Sequence, residues 1–174
     1  MNLFKSIFLS CVLFASCAAT FAETLKPAAN FTLPDIYTGE MIDLASYKGS
    51  VVLVDFWASW CGPCQASLPE YEALRVKLQA SLPKNKFEVL AINVDGSKEE
   101  AMEFLSKHQL TFPILKESSG KSQRDYELLA MPTSFLVDQK GLIRIAHVGF
   151  NPNYIALLEK EVRKLVNEAP LIND

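Results

Sequence analysis

Cys61 and Cys64 stand three residues apart, enclose Gly62-Pro63 and follow Trp60. Their surroundings give that spacing its chemistry. Val51-Val52-Leu53-Val54-Asp55-Phe56-Trp57 is a β-branched, apolar run of strand length, and Leu68, Tyr71, Leu74 and Leu78 recur at helical spacing after the second cysteine. The pair is therefore expected where a buried strand turns into a helix. At a helix N-terminus, unpaired N–H groups and the positive end of the macrodipole favour a thiolate over a thiol, which makes Cys61 the nucleophile. Cys64, about one turn further in, is placed to attack any mixed disulfide formed at Cys61. The pattern is that of a dithiol/disulfide redox centre.

Other uses of two cysteines fit less well. A structural zinc site needs four ligands, the chain has no second Cys-x-x-Cys, and its only histidines, His108 and His147, are not at ligand spacing. A purely structural disulfide would close too short a loop to stabilise much. Gly62-Pro63 favours an exposed turn over a pair of inert core thiols. Neither metal nor cofactor is expected.

The first 22 residues read as a cleaved export signal. Lys5 is the one charge ahead of an apolar stretch over residues 7–19, long enough for a signal segment and too short to span a membrane. Thr20-Phe21-Ala22 supplies small residues at −3 and −1, so cleavage after Ala22 and release into the periplasm are expected. Phe14-Ala15-Ser16-Cys17 carries the competing expectation. It resembles a bacterial lipoprotein box with phenylalanine where leucine is usual, and lipidation at Cys17 would tether the protein to a membrane. Cleavage after Ala22 would remove Cys11 and Cys17 from the disulfide count, and the loss of Lys5 would take the formal charge from −3 to −4. Mild acidity without a basic run argues against nucleic acid or an anionic membrane surface as partner.

Removing 22 of 174 residues leaves 152, residues 23–174, enough for one well-buried domain that no repeat or linker divides. A short hairpin is expected from 31–33 and Met41-Ile42-Asp43, joined across Tyr37-Thr38-Gly39. After the 51–57 strand and the Cys-bearing helix, which Pro69 should kink, residues 87–93 read as a second buried strand. Ser97-Lys98-Glu99-Glu100 is a capping box that opens a helix through Met102, Phe104 and Leu105. A short strand at 112–115 and a helix near 123–129 follow. Asp138-Gln139-Lys140-Gly141 is a hairpin turn between strands 133–137 and 142–148. Asn151-Pro152 then starts a last helix with Ile155, Leu158, Val162 and Leu165 on one stripe. The order βαβ, then hairpin and helix, makes the class α/β.

With these elements in place, the chain resembles the thioredoxin fold over nearly all of residues 23–174. Val54-Asp55-Phe56-Trp57-Ala58-Ser59-Trp60-Cys61-Gly62-Pro63-Cys64 is similar to the thioredoxin active-site signature, Pro69 to the helix-kinking proline, Met131-Pro132-Thr133 to the cis-proline turn, and Gly149 to a family glycine. The N-terminal hairpin and a helix-containing insert over roughly 96–115 narrow the resemblance to TlpA/ResA-type exported thiol-disulfide reductases. The resemblance implies a central mixed sheet flanked by helices and a monomer. It also implies disulfide-containing client proteins, including apocytochrome haem-binding or copper-site cysteines, and a membrane thiol-disulfide electron donor.

One departure is informative. TlpA/ResA-type proteins usually carry glutamate three residues after the second cysteine, and here that residue is Ser67. Asp55 then becomes the expected proton acceptor for Cys64. It lies two residues after Leu53 on a strand covered on both faces, where desolvation raises a carboxyl pKa. Trp60, Gly62, Pro63, Met131, Pro132 and Thr133 are the expected substrate contacts. A cis Pro132 would hold its neighbours so that an extended client can pair with them. Trp57 is expected in the core, and structural roles are expected for His108 and His147.

In the expected cycle Cys61 attacks a client disulfide and Cys64 resolves the mixed disulfide. Activation of Cys61 is a small part of this. Lowering its pKa from about 8.5 to about 7 raises the thiolate fraction at neutral pH roughly 15-fold, and the accompanying loss of nucleophilicity takes back roughly 5-fold. A peroxidase on the same fold would need Pro-x-x-x-Thr-x-x-Cys, which precedes neither cysteine. The motif itself supports disulfide formation as well as reduction, and intact cysteines argue against a purely non-catalytic binding module.

Overall fold

The computed structural model describes residues 25–168. The export-signal and Cys17 readings lie outside the described residues. A hairpin of β1 (Thr32–Pro34) and β2 (Met41–Asp43) precedes the main sheet, with Thr32 opposite Asp43. The sheet has five strands: β3 (Val51–Trp57), β4 (Phe87–Asn93), β5 (Ile114–Lys116), β6 (Thr133–Val137) and β7 (Ile143–Val148), in the order β5-β4-β3-β6-β7. β4 is parallel to both β3 and β5, whereas β6 is antiparallel to both β3 and β7. The central strand is β3, and all seven of its residues are buried. A continuous apolar run is what a strand covered on both faces requires.

Alternation along β3 divides the core in two. Val51, Leu53 and Trp57 face the layer of α1 (Gly62–Ser81), α2 (Lys98–Leu105) and α4 (Pro152–Asn167), which contributes Leu68, Tyr71, Phe104, Leu158 and Val162. Val52, Val54 and Phe56 face Phe31, Leu44 and Tyr126. That second face is covered by the N-terminal segment, a 3₁₀ turn at Leu44–Tyr47 and the short α3 (Lys121–Asp125). This is the thioredoxin-like α/β fold with an added N-terminal hairpin.

Local chemistry accounts for most boundaries. Ser97 caps α2 by accepting from the Glu100 N–H at 3.3 Å while the Glu100 carboxylate accepts from the Ser97 N–H at 3.3 Å. In the β6–β7 turn, Asp138 Oδ1 accepts from the N–H groups of Lys140 and Leu142, and Gly141 takes φ +85°. Several details differ from expectation: the first strand spans Thr32–Pro34 and not 31–33, and the last begins at Ile143 and not at 142. The fifth strand begins at Ile114, two residues late. The third helix spans Lys121–Asp125 and not 123–129, because Glu127 takes a left-handed φ of 53° that stops it, leaving Leu129 96% exposed. On α4, Tyr154 is buried and Ile155 only half-buried.

Candidate active site

Sheet order places the functional loop at the C-terminal end of the central strand. β3 ends at Trp57, Ala58 is buried, and α1 opens at Gly62 with Cys61 as its N-cap. Cys61 and Cys64 are joined by a disulfide with an S–S length of 2.06 Å. The Cys64 N–H donates to Cys61 Sγ at 3.2 Å, so the first sulfur receives one of the helix's four unpaired N–H donors. Pro63 occupies the first turn, where a missing N–H costs nothing. Cys61 is 6% exposed and Cys64 fully buried, so the resolving sulfur is reached through the attacking one. Trp60 projects beside them at 67% exposure, while Trp57 is fully buried against Phe104.

The cis-proline turn reaches the same end of the sheet. Thr133 pairs with Phe56 on β3, which places Pro132 level with the start of the active-site loop. The Met131–Pro132 bond is cis. Pro132 O accepts from the Gly149 N–H at 2.7 Å, Gly149 has φ +83°, and the Thr133 hydroxyl donates to Ala130 O at 2.8 Å. Thus Met131, Pro132 and Thr133 are held at one end by the β6–β7 hairpin and at the other by their own loop, with Met131 packed against the cluster that holds Cys61 and Cys64.

Asp55 is fully buried, and among the described residues neither carboxylate oxygen has a hydrogen-bond partner. Burial pushes its pKa well above the usual carboxylate range. Its strand position fixes its direction. Leu53 and Trp57, two residues to either side, pack in the cluster that holds Cys61 and Cys64, so Asp55 faces the same layer. Ser67, standing where the resemblance implies a glutamate, is fully buried and donates its hydroxyl to Cys64 O at 3.1 Å. It is spent on the helix backbone.

Asp95 is a site residue that the sequence did not reveal. It is 3% exposed, accepts from the Ser59 N–H at 3.0 Å and from the Ser59 hydroxyl at 3.1 Å, and takes a further 2.7 Å bond from the Asn93 side-chain amide. The Lys116 ammonium binds the Asp95 carbonyl. This cluster pins the loop two residues before Cys61 to the ends of β4 and β5. Only the parallel register of β3 and β4 brings Ser59 and Asp95 together. Among the described residues no three His, Cys, Asp or Glu side chains cluster so as to hold a metal ion.

The AhpC/TSA family model matches residues 24–146. Thioredoxin-like protein YneN of Bacillus subtilis is 35% identical over 127 residues, 71% of this chain and 71% of its own length. Sporulation thiol-disulfide oxidoreductase A of the same organism is 32% identical over 136 residues, 75% of this chain and 79% of its own. Among solved structures, one from Chlorobium tepidum described as a thiol:disulfide interchange protein DsbE superposes with a TM-score of 0.75 at 37% identity, over 82% of this chain and 97% of that one. A redox cysteine pair at a helix start, a cis-proline turn and relatives of this kind converge, and the chain belongs to the AhpC/TSA family of thioredoxin-fold proteins as a thiol-disulfide oxidoreductase of the ResA/DsbE type.

Proposed function

We propose that the protein reduces client disulfides outside the cytoplasm, with Cys61 as nucleophile, Cys64 as resolving thiol and Asp55 as the base that takes the Cys64 proton. The observation that carries this reading is Asp55: a fully buried carboxyl, unpartnered, on the sheet face that packs against the cysteine-bearing helix. A proton acceptor works best when its pKa lies near the operating pH, and burial moves Asp55 in that direction. Trp60, Gly62, Pro63, Met131, Pro132 and Thr133 form the client face around the exposed edge of Cys61. Lys5, the apolar stretch over residues 7–19 and Thr20-Phe21-Ala22 support cleavage after residue 22 and a periplasmic domain of residues 23–174, acting as a monomer and recharged by a membrane thiol-disulfide donor; Cys17 lipidation is the anchored alternative.

The dipeptide between the cysteines favours the reductive direction. Gly62-Pro63 places no histidine beside Cys61 to over-stabilise its thiolate, so a thioredoxin-like potential within about 30 mV of −270 mV is expected, a window of roughly 1.4 kcal/mol. Equilibration with glutathione measures it. A value near −120 mV would make the protein an oxidase of client thiols instead. Peroxide chemistry, which the family name also covers, lacks its motif: Ala58 and Val54 stand three and seven residues before Cys61, where threonine and proline would be needed. A Cys64→Ser variant would accumulate mixed disulfides and identify the clients, with apocytochrome and copper-site cysteines as the classes to look for.

A further inference from the structure

The sheet carries a polar row behind the cysteines. Asp55 on β3 stands opposite Ser134 on β6, and Ser134 stands opposite His147 on the edge strand β7. Residues paired across strands point to one face, so the three side chains form a line roughly 10 Å long from the core to the sheet edge. Leu136 and Ile145, two residues from Ser134 and His147, pack in the same cluster as Cys64, which identifies that face. Tyr154 of α4 covers the row. Its hydroxyl is 2.9 Å from Ser134 Oγ, and its ring stacks on His147 with centroids 3.7 Å apart. Tyr71 of α1 packs in the same cluster, where burial and then the closeness of Asp55 and Tyr154 raise its pKa. Six buried side-chain polar atoms lack a hydrogen-bond partner among the described residues, and four of them belong to this assembly: both Asp55 oxygens, the Tyr71 hydroxyl and His147 Nε2. Orphaned polar groups clustered in this way are the usual setting for bridging water.

A buried base needs a way to exchange its proton. During resolution the client lies over Trp60 and the cis-proline turn, and Asp55 is fully buried beneath. We propose that Ser134, Tyr154 and His147, bridged by ordered water, form a proton route from Asp55 to solvent at the edge of β7. This inference rests on Asp55 being the base for Cys64. As the Cys64 sulfur attacks Cys61 Sγ, its proton passes to Asp55, the Cys61–Cys64 bond forms, and the electron pair of the broken bond between Cys61 and the client leaves with the client thiolate. One proton then leaves Asp55 along the row, His147 gives one to water, and no electron travels with it. Burial holds the His147 imidazolium below its usual pKa, so the ring is neutral and able to accept at neutral pH. The titratable groups facing the row are Tyr71 from α1 and Tyr154 from α4, both raised by burial first and by Asp55 second or third; neither Asp55 nor His147 is shifted by a neighbouring lysine, arginine or carboxylate.

The test is stopped-flow reduction of insulin in weak buffer by the intact chain and by His147→Ala, Tyr154→Phe and Asp55→Asn variants. Tyr154→Phe keeps the ring and its stacking, so it separates proton transfer from packing. Decay of the mixed disulfide should slow about 10-fold in the His147 and Tyr154 variants, with formation unchanged. Added imidazole should restore the His147→Ala rate and leave Tyr154→Phe slow. A slow Asp55→Asn beside unimpaired His147 and Tyr154 variants would overturn the route and leave Asp55 as the base. Full-rate Asp55→Asn would overturn both, and a loss in His147→Ala that imidazole does not restore would show that the histidine acts through packing alone.

Discussion

Asp55 and Glu117 are both buried carboxylic acids at sheet level, and their surroundings push them in opposite directions. Asp55 is fully buried, with no donor on either oxygen among the described residues. Glu117, 3% exposed, sits just beyond β5, where one carboxylate oxygen accepts from the Ser119 N–H at 2.6 Å, the Ser119 hydroxyl at 2.7 Å and the Gly120 N–H at 3.1 Å, and the other from the Ser122 N–H at 2.9 Å. Burial alone would raise Glu117 too, but the donors from Ser122 and Ser119 outweigh it and bring it down to about 2. Glu117 spends its charge on starting α3, whose Gly120 N-cap has no side chain to offer. Asp55 is left with its basicity unspent. A buried acid is available for chemistry where the fold has declined to satisfy it.

Breaking each acid should therefore break different things. The largest effect expected is kinetic. Asp55→Asn should slow resolution by Cys64 about 100-fold, the low end for general-base assistance since water can substitute in part, while attack by Cys61 stays nearly intact. Stopped-flow separation of mixed-disulfide formation from decay reads both steps. Glu117→Gln should leave those rates alone and lower stability by about 1–3 kcal/mol, because charge-assisted donors lose their acceptor; denaturant unfolding measures it.

The pH dependence of stability sharpens the contrast, since the signs are opposite. The folded-state pKa of Asp55 is raised, so its protonated form supports the fold below the unfolded value of about 4 and that support is lost as pH climbs toward the folded value. Asp55→Asn should flatten this decline and make the variant the more stable protein at alkaline pH. Glu117 is depressed to about 2, so its contribution is present above the unfolded carboxylate range and disappears as pH falls through about 2. Glu117→Gln should erase that acid limb alone. The smallest change expected is Ser67→Ala, which removes one neutral hydrogen bond to Cys64 O and should cost about 1 kcal/mol with little effect on resolution. A large kinetic loss there would move the base toward Ser67 and away from Asp55.

The two acids also differ in how far sequence could read them. Asp55 was legible because a strand's period of two fixes its face: Leu53 and Trp57 on either side commit it to the core. The cysteines were legible because their chemistry needs only a strand end and a helix start. Glu117 was not, since a carboxylate capping a helix through backbone donors two to five residues later leaves no periodic trace. That missing signal is one reason α3 was expected too far along the chain. The Asp95–Ser59 latch spans 36 residues and depends on the β3–β4 register. The Asp55, Ser134 and His147 row needs two registers at once, so the sequence alone gives His147 only a structural role.

The measurement that tests the account most directly is a carboxyl ¹³C NMR titration of the disulfide form, resolving Asp55 and Glu117 in one sample. The account predicts that Asp55 keeps its proton well above the ordinary carboxylate range while Glu117 loses its proton near 2. An Asp55 resonance that titrates at the ordinary value of about 4 would contradict it, because such an acid would be too weak a base to take a thiol proton.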